Sequence, residues 1–472
     1  MNTRIFGSSV LGLALATSTF FASPALAVDY TWFGDEGAFT DPVNWSPEGV
    51  PGIGDNALVD GGTVNIAEGD ALEFNYLRIT RGGSPADAEA HVIQTGGDVI
   101  LTNLRVGDGN THVGTFEMSG GSMTIPSGSG QVIVGANAGS DGTMTVKGTA
   151  MFDNLGTSNL RFAVGDTGTG RLYIQDFASV TSTRMTIGNN AAGVGTLEVS
   201  GGSLSIHEHL LIGRNDGNGT ATISGSAQVT VASGVTLAAD GTGLGSGTLN
   251  LNGGSLTTSG ITKGSGTGTV HFNGGTVIAL ADSPDFFSGL DGANLHVQAG
   301  GLKFNTDFYF VTVTQGMNGT GGLTKLGEGI LTLEGQNTFI GVSQVAEGTL
   351  VIADGASITG TLEVANGATL QVEGALSLDQ AIVLNLVTGA NVVLDFEGTQ
   401  TISELRINGV AVASDEYTLA ELQNLAGGVN FSGNAAAVLN VTPVPEPGTF
   451  ALLAIGACVG ALRMRRRTSI RS

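Results

Sequence analysis

Disulfides cannot hold this chain together, because its 472 residues include a single cysteine, Cys458, which lies in an apolar segment near the C-terminus. Stability must come from packing and hydrogen bonds. Basic side chains are also scarce: 18 Lys and Arg stand against 41 Asp and Glu. The two ends hold six of the basic and one of the acidic residues, so residues 28–445 carry a net charge of −28. Such a body repels nucleic acid and anionic lipid, and we expect no nucleic-acid partner.

Helical spacing is missing as well from the repeats between the two ends: no stretch of 11 or more residues there places apolar side chains along one helix face. Glycine is abundant, with 77 residues, but it does not recur at every third position, which excludes collagen. Hydrophobic residues make up 41% of the chain, enough for a core and too many for wholesale disorder. Many of them are Val, Ile and Leu, and Thr is frequent, which favours short strands.

A glycine-threonine-strand unit recurs through the first half of the chain. Clear copies occupy residues 114–125, 195–206 and 247–257, and weaker copies start at Gly142, Gly170, Gly219 and Gly268. Successive copies start 21 to 28 residues apart. Periods of this size indicate stacked supersecondary units.

Within one copy the apolar residues alternate with polar ones, and Gly201-Gly202 supplies a corner between two short strands. The inward residues of this copy are Leu197, Val199, Leu204, Ile206, Leu210 and Ile212. Three short strands with one apolar face each make one coil of a solenoid. The sequence therefore predicts an all-β fold, a right-handed parallel β-solenoid (β-helix). A β-sandwich is the alternative, although a sandwich has no reason to repeat its sequence.

Residues 322–352 contain the run Gly-Leu-Thr-Lys-Leu-Gly-Glu-Gly-Ile-Leu-Thr-Leu, followed by Phe339 and by Val345 to Ile352. This segment closely resembles the autotransporter-associated β-strand repeat, with Phe339 where that repeat usually has tyrosine. The resemblance implies a passenger-type β-helix. Residues 394–396 with 402–413 look like the terminal cap of such proteins, but no C-terminal β-barrel translocator follows in this sequence.

The N-terminus has the pattern of a secretory signal peptide. Arg4 is the basic residue, residues 10–21 form the apolar core, and Ala25-Leu26-Ala27 gives the small-x-small cleavage pattern. We place cleavage after Ala27. Trp32 and Trp45 follow in a segment that resembles the opening of bacterial β-helix surface proteins. We interpret them as a cap over the first coil, with sugar stacking on an exposed tryptophan as the alternative.

The C-terminus has three parts: Val444-Pro445-Glu446-Pro447, a mostly apolar segment 448–462, and a basic cluster. The arginines of this cluster are Arg463, Arg465, Arg466 and Arg467. An apolar helix of this length spans roughly 22 Å, short of the roughly 30 Å hydrocarbon core. The arrangement resembles the PEP-CTERM sorting signal. The resemblance implies a short transmembrane sorting helix, transient contact with the inner membrane, and processing near Pro-Glu-Pro by an exosortase-type enzyme.

These features predict five segments. Residues 1–27 form the signal peptide, 28–85 an N-terminal cap region and 86–280 the solenoid repeats. Residues 281–440 continue the solenoid with the autotransporter-associated repeat and a C-terminal cap. Residues 441–472 form the sorting segment.

Candidate chemistry within the coils is sparse. His207-Glu208-His209 has metal-like spacing, but two imidazoles alone make a weak zinc site, and an exposed polar corner is the simpler interpretation. Acidic and amide side chains fall near the polar turn of successive coils, at Asp108, Asp141, Asp166, Asn189-Asn190, Asn215-Asp216 and Asp240. We interpret them as turn caps, with a calcium ladder as the alternative. We expect no catalytic, cofactor or metal residues.

The sequence thus predicts an exported, non-enzymatic structural or adhesive protein of the cell surface or extracellular matrix, with extracellular polysaccharide as a potential partner. The alternatives are a polysaccharide-active enzyme or a carbohydrate-binding module on the same scaffold. A cluster of acids in one groove would favour the enzyme, and an exposed aromatic row would favour the module.

Overall fold

In a computed structural model of the chain, the structure describes residues 27–81, 89–126, 128, 130–154, 162–425 and 427–442. Within these ranges the chain forms an all-β parallel solenoid of about 15 coils, wound in the right-handed sense. The predicted fold class is confirmed for this part of the chain. The predicted C-terminal sorting helix lies outside the described residues. Among the described residues, no helix has the length and apolar run needed to cross a membrane.

Each typical coil has three short strands, which we call faces 1, 2 and 3 in chain order. Face 1 is a 13-stranded sheet. Its strands are Glu36–Ala38, Gly62–Ile66, Glu89–Gln94, Val113–Met118, Asp141–Val146, Thr169–Ile174, Val194–Val199, Asn218–Ile223, Ser246–Leu251, Thr267–Phe272, Leu295–Val297, Asn318–Gly319 and Thr338–Phe339.

Faces 2 and 3 share a 25-stranded sheet, because two early nine-residue strands, Ala71–Ile79 and Asp98–Val106, run across both faces without a break. On face 2 the other strands are Ser122–Ile125, Met151–Asn154, Ser179–Ser182, Ser203–Ile206, Gln228–Val231, Ser255–Thr258, Thr276–Ala279, Leu302–Asn305, Leu323–Leu326, Val342–Val345, Thr361–Val364, Val383–Leu386 and Glu404–Ile407. On face 3 they are Asp29–Trp32, Asn56–Val59, Gln131–Val134, Phe162–Val164, Met185–Ile187, Leu210–Ile212, Val235–Leu237 and Ile261–Lys263.

Face 3 continues downstream as a separate six-stranded sheet. Its strands are Phe310–Val313, Ile330–Leu333, Thr349–Ile352, Thr369–Val372, Asn391–Leu394 and Asn430–Gly433. The end of the stack is a three-stranded sheet of Gly398–Ile402, Glu416–Thr418 and Ala437–Val441. In the part of the chain that the structure describes, the helices are one 3-10 turn, Pro42–Asn44, and one short α-helix, Leu419–Leu422.

The predicted inward positions stack in register. Leu197 belongs to a column that also contains Phe116, Met144 and Leu172. Val199, Leu204 and Ile206 likewise align with Met118, Met123 and Ile125, and all of these side chains are buried. One continuous apolar cluster runs from Trp32 to Val441. The register prediction is therefore confirmed.

The repeat glycines form a column of their own on face 1, because the seven predicted starts pair with one another in succession from Gly114 to Gly268. A Cβ atom at Gly195 would collide with the backbone nitrogen of Gly188 and the carbonyl oxygen of Val164. Gly188 itself has a φ of 70°. The corner between faces 3 and 1 thus brings two backbones too close for any side chain.

The two ends of the stack depart from parallel pairing. Near the N-terminus Asp29–Trp32 pairs antiparallel with Trp45–Ser46. At the other end Glu416–Thr418 pairs antiparallel with Ala437–Val441, and Val410–Ala411 pairs antiparallel with Glu404–Ile407. Within the described residues every other strand pairing is parallel, so the direction changes only where the solenoid needs a cap.

The inward column predicts the effect of a charge at position 199. Val199→Asp should lower the free energy of unfolding by at least about 3 kcal/mol, because it buries a carboxylate without a partner. Its outward neighbour supplies the control: Glu198→Gln should change stability by less than about 0.5 kcal/mol. Urea denaturation of both variants measures the difference. Equal, small effects would show that residue 199 does not face the core.

Candidate functional site

The predicted sorting and cleavage residues fall almost entirely outside the described ranges. These residues are Ala25, Val444, Pro445, Glu446, Pro447, Arg465, Arg466 and Arg467. Ala27 is described: it is exposed, and Val28 separates it from the first strand. Their roles stay predictions.

The two tryptophans form part of the core at the N-terminal end. Trp32 and Trp45 are 3% and 1% exposed, and their rings meet edge to face with centroids 5.1 Å apart. The Trp45 indole N–H donates to the carbonyl oxygen of Phe39 at 2.8 Å. Because both rings are buried, neither can stack on a sugar. Their burial agrees with the interpretation that the two tryptophans cap the first coil.

The polar turn between faces 3 and 1 carries acidic side chains that neighbouring coils bind. Asp108 is fully buried and accepts from the guanidinium groups of Arg78 and Arg105. Asp166 accepts from the side-chain amides of Asn189 at 2.5 Å and Asn190 at 3.0 Å. Arg105 belongs to the same coil as Asp108, whereas Arg78, Asn189 and Asn190 bind their carboxylates from a neighbouring coil.

The remaining members of the row are also engaged. Asp141 pairs with Arg171, and the Nε of Arg214 lies 3.0 Å from a carboxylate oxygen of Asp240. Asp216 accepts from the backbone N–H and hydroxyl of Thr242, both at 2.8 Å, and these bonds lower its pKa. These contacts favour turn capping over a calcium ladder. In the described part of the chain, no three or more His, Cys, Asp or Glu side chains group as a metal site.

His207-Glu208-His209 lies at a corner rather than on a strand. His207 is exposed, whereas Glu208 accepts from Arg184 in the preceding coil at 2.8 Å. His209 is half-buried and lines a shallow depression with Ser233, Gly234, Val235, Thr236, Ser259, Gly260, Thr262 and Asp285. Glu208 therefore forms an ion pair with Arg184 that joins two coils.

Sequence reasoning missed a second histidine pair, because its members lie 25 residues apart. His271 and His296 occupy neighbouring strands of face 1, and their rings stack with centroids 5.0 Å apart. Burial lowers the pKa of His271, and the charge of His296 lowers it further. The Nδ1 atom of His296 lies 3.0 Å from the side-chain oxygen of Asn318. Only the coil register brings these residues together.

Sequence reasoning also missed a buried cation inside the repeat at residues 322–352. Lys325 is 0% exposed and lies in an inward column between Phe304 and Val345. Its Nζ atom donates to the carbonyl oxygens of Leu326, Gly327 and Glu347 at 2.9, 2.7 and 3.2 Å. Strict alternation from Leu323 would have placed Lys325 inside, so the signal was present in the sequence.

Comparisons with known proteins agree with this architecture. A family model described as the passenger-associated-transport-repeat matches residues 323–352. The uncharacterized lipoprotein YdeK of Escherichia coli strain K12 is 29% identical over 173 residues, which are 36% of this chain and 12% of that protein. The match therefore spans a small part of the relative. No solved structure matches the chain. The repeat and the solenoid together support an autotransporter-like passenger β-helix.

The buried lysine gives a pH-dependent prediction. Burial lowers the pKa of Lys325 to about 8, although the negative charge of Glu347 acts in the other direction and raises it. Between pH 8 and about 10.5 the unfolded chain therefore holds more protons than the folded chain, and stability from this group rises with pH. From pH 7 to pH 10, wild type should gain about 2 kcal/mol relative to Lys325→Met, as measured by urea denaturation. A constant difference would show that the three carbonyl acceptors keep the amine charged.

Proposed function

We propose that this chain is an exported, non-enzymatic structural or adhesive protein of the cell surface or extracellular matrix. The observation that carries the proposal is the continuity of the matched repeat with the rest of the stack. Leu323–Leu326 pairs with Leu302–Asn305 before it, and Thr349–Ile352 pairs with Thr369–Val372 after it. The passenger-type segment is therefore part of a single rod, and we expect the rod to serve as the exposed body.

The rod offers length and a regular polar surface. About 15 coils at about 4.8 Å per coil give a body roughly 70 Å long. On face 1, Thr196, Thr220, Thr248 and Thr269 form an outward column. A stiff, acidic, hydroxyl-rich rod suits contact with extracellular polysaccharide or neighbouring cells, and its charge opposes anionic polymers.

The proposal includes a route to the surface. The signal peptide ending at Ala27 would start export, and the PEP-CTERM tail would hold the chain transiently in the inner membrane. An exosortase-type enzyme would then process the chain near Pro445-Glu446-Pro447. The resemblance of these segments to known signals is what supports this route.

The alternative of a polysaccharide-active enzyme needs two carboxyl groups across a bound sugar. Two of the outward acids of face 1, Glu117 and Glu198, are separated by three coil steps, about 14 Å, and a third, Asp141, pairs with Arg171. Glu117 also pairs with Lys147 at 2.9 Å. The distance between Glu117 and Glu198 and the ion pairs of Glu117 and Asp141 support the non-enzymatic proposal.

Processing at the tail can be tested with one substitution. Glu446→Ala should leave the chain unprocessed, so that its mass includes the tail and it stays in the membrane fraction. Glu416→Ala, which removes an exposed acid outside the tail, should be processed like wild type. Mass spectrometry of each fraction, together with antibody labelling of intact cells, reads out both steps. Normal processing of Glu446→Ala would show that cleavage does not need Glu446, and a wild-type chain that keeps its tail would point to a plain anchor. Wild type without surface labelling would contradict the proposed location.

Catalysis can be tested directly. We expect the purified full chain to cleave none of pectin, alginate, xylan and sulfated glycans, with or without calcium. Reducing-end and unsaturated-product assays measure both hydrolysis and elimination. Turnover that disappears when one acidic side chain is replaced would favour the enzyme instead.

A further inference from the structure

Face 3 carries an exposed apolar patch where its six-stranded sheet begins. Phe308 and Phe310 are 68% and 62% exposed, and Ile330 is half-buried beside Phe310 in the next coil. We call these three residues the Phe308 patch. Phe33 and Phe177 are similarly exposed, at 63% and 85%, but they lie far apart in the chain, whereas Phe308 and Phe310 are two positions apart.

Local structure holds the two rings outward. Asp307 has a φ of 51°, which turns the chain from face 2 into face 3. Tyr309, between the two phenylalanines, packs against the core, whereas Phe308 in the turn and Phe310 at the start of the strand are exposed. The backbone N–H of Phe310 donates to a carboxylate oxygen of Asp282 at 2.9 Å. The patch is therefore fixed by the fold rather than by a loose loop.

The size of the patch limits what can cover it. Two phenylalanine rings exposed to this degree present about 250 Å². A stable protein interface needs about 800 Å² from each partner. The patch is too small for a second copy of the chain, but its area suits a flat ligand unit of one or two rings.

Three acidic residues lie near the two phenylalanines in the chain or in the neighbouring coils. Asp307 precedes Phe308, Asp282 lies beside Phe310, and Glu328 occupies the corresponding corner of the next coil; all three are exposed. Carboxylates accept hydrogen bonds from hydroxyl and ammonium groups and repel anions. Aromatic rings bordered by such acceptors match a sugar ring, which combines an apolar C–H face with hydroxyl groups at its edge.

We propose that the Phe308 patch binds a glycan without negative charge, with one sugar ring stacked on Phe308 and Phe310 and its hydroxyl or amino groups bound by Asp307 and Glu328. This site names the ligand class for the proposed surface protein and rests on that function. It differs from the tryptophan site considered from the sequence, because both tryptophans are buried.

The test uses the full chain and three hexasaccharides: β-linked glucose, β-linked glucosamine and galacturonic acid. Isothermal titration should detect binding of the first two and none of the third. Phe308→Ala/Phe310→Ala should weaken that binding at least tenfold without changing the melting temperature. Phe177→Ala is the matched control, because Phe177 is 85% exposed on a different corner, and it should bind like wild type.

A further variant tests the surrounding acids. Asp307→Asn/Glu328→Gln should weaken binding of the glucosamine hexamer more than that of the glucose hexamer, since only the first carries ammonium groups. Absence of binding by wild type, or equal binding by wild type and the double alanine variant, would overturn the site. Loss of self-association in the alanine variant, seen by light scattering, would assign the patch to a second copy instead. None of these results depends on the cell-surface labelling that tests the proposed function.

Discussion

The parallel backbone ladder between successive coils is the interaction on which the rest of this structure depends. A single coil leaves the N–H and C=O groups of its three strands without partners, and the coil above or below supplies them. With no disulfide available, the stack must be continuous, and its two ends must close. The strands Trp45–Ser46 and Glu416–Thr418 close the two ends, because each pairs antiparallel with its neighbour and so interrupts the parallel stacking.

Where the ladder is interrupted, buried polar side chains replace its hydrogen bonds. Asn337 accepts from the backbone N–H of Met317 and donates to the carbonyl oxygen of Ser357, joining three coils. Gln400 both accepts from and donates to the backbone of Leu378. Lys325 binds three carbonyl oxygens in the same way, so its position inside an apolar column is a consequence of unsatisfied backbone groups.

The sequence predicted the solenoid and its register because inward alternation and corner glycines repeat together, as at Leu197 and Gly195. The register of these columns follows from one rule, that alternate residues of each strand point inward and are apolar. Two features were beyond such a rule. The stacking of His271 on His296 depends on coil length, which varies along the chain. In the run Phe308 to Val311 every residue is apolar, so alternation alone cannot decide which rings face outward, and the turn at Asp307 decides it.

Function in such a rod is encoded separately from fold. The residues that repeat regularly in the sequence are those of the inward columns, which the fold requires. The outward positions can differ from coil to coil. A surface that spans several coils draws its residues from positions about 20 to 28 apart, so it leaves no short motif. The Phe308 patch is an exception only in part: its two phenylalanines lie two positions apart in sequence, but Ile330 comes from the next coil, as does the neighbouring Glu328. A binding site on this chain is therefore to be sought among outward residues that align between successive coils, and not in short sequence motifs.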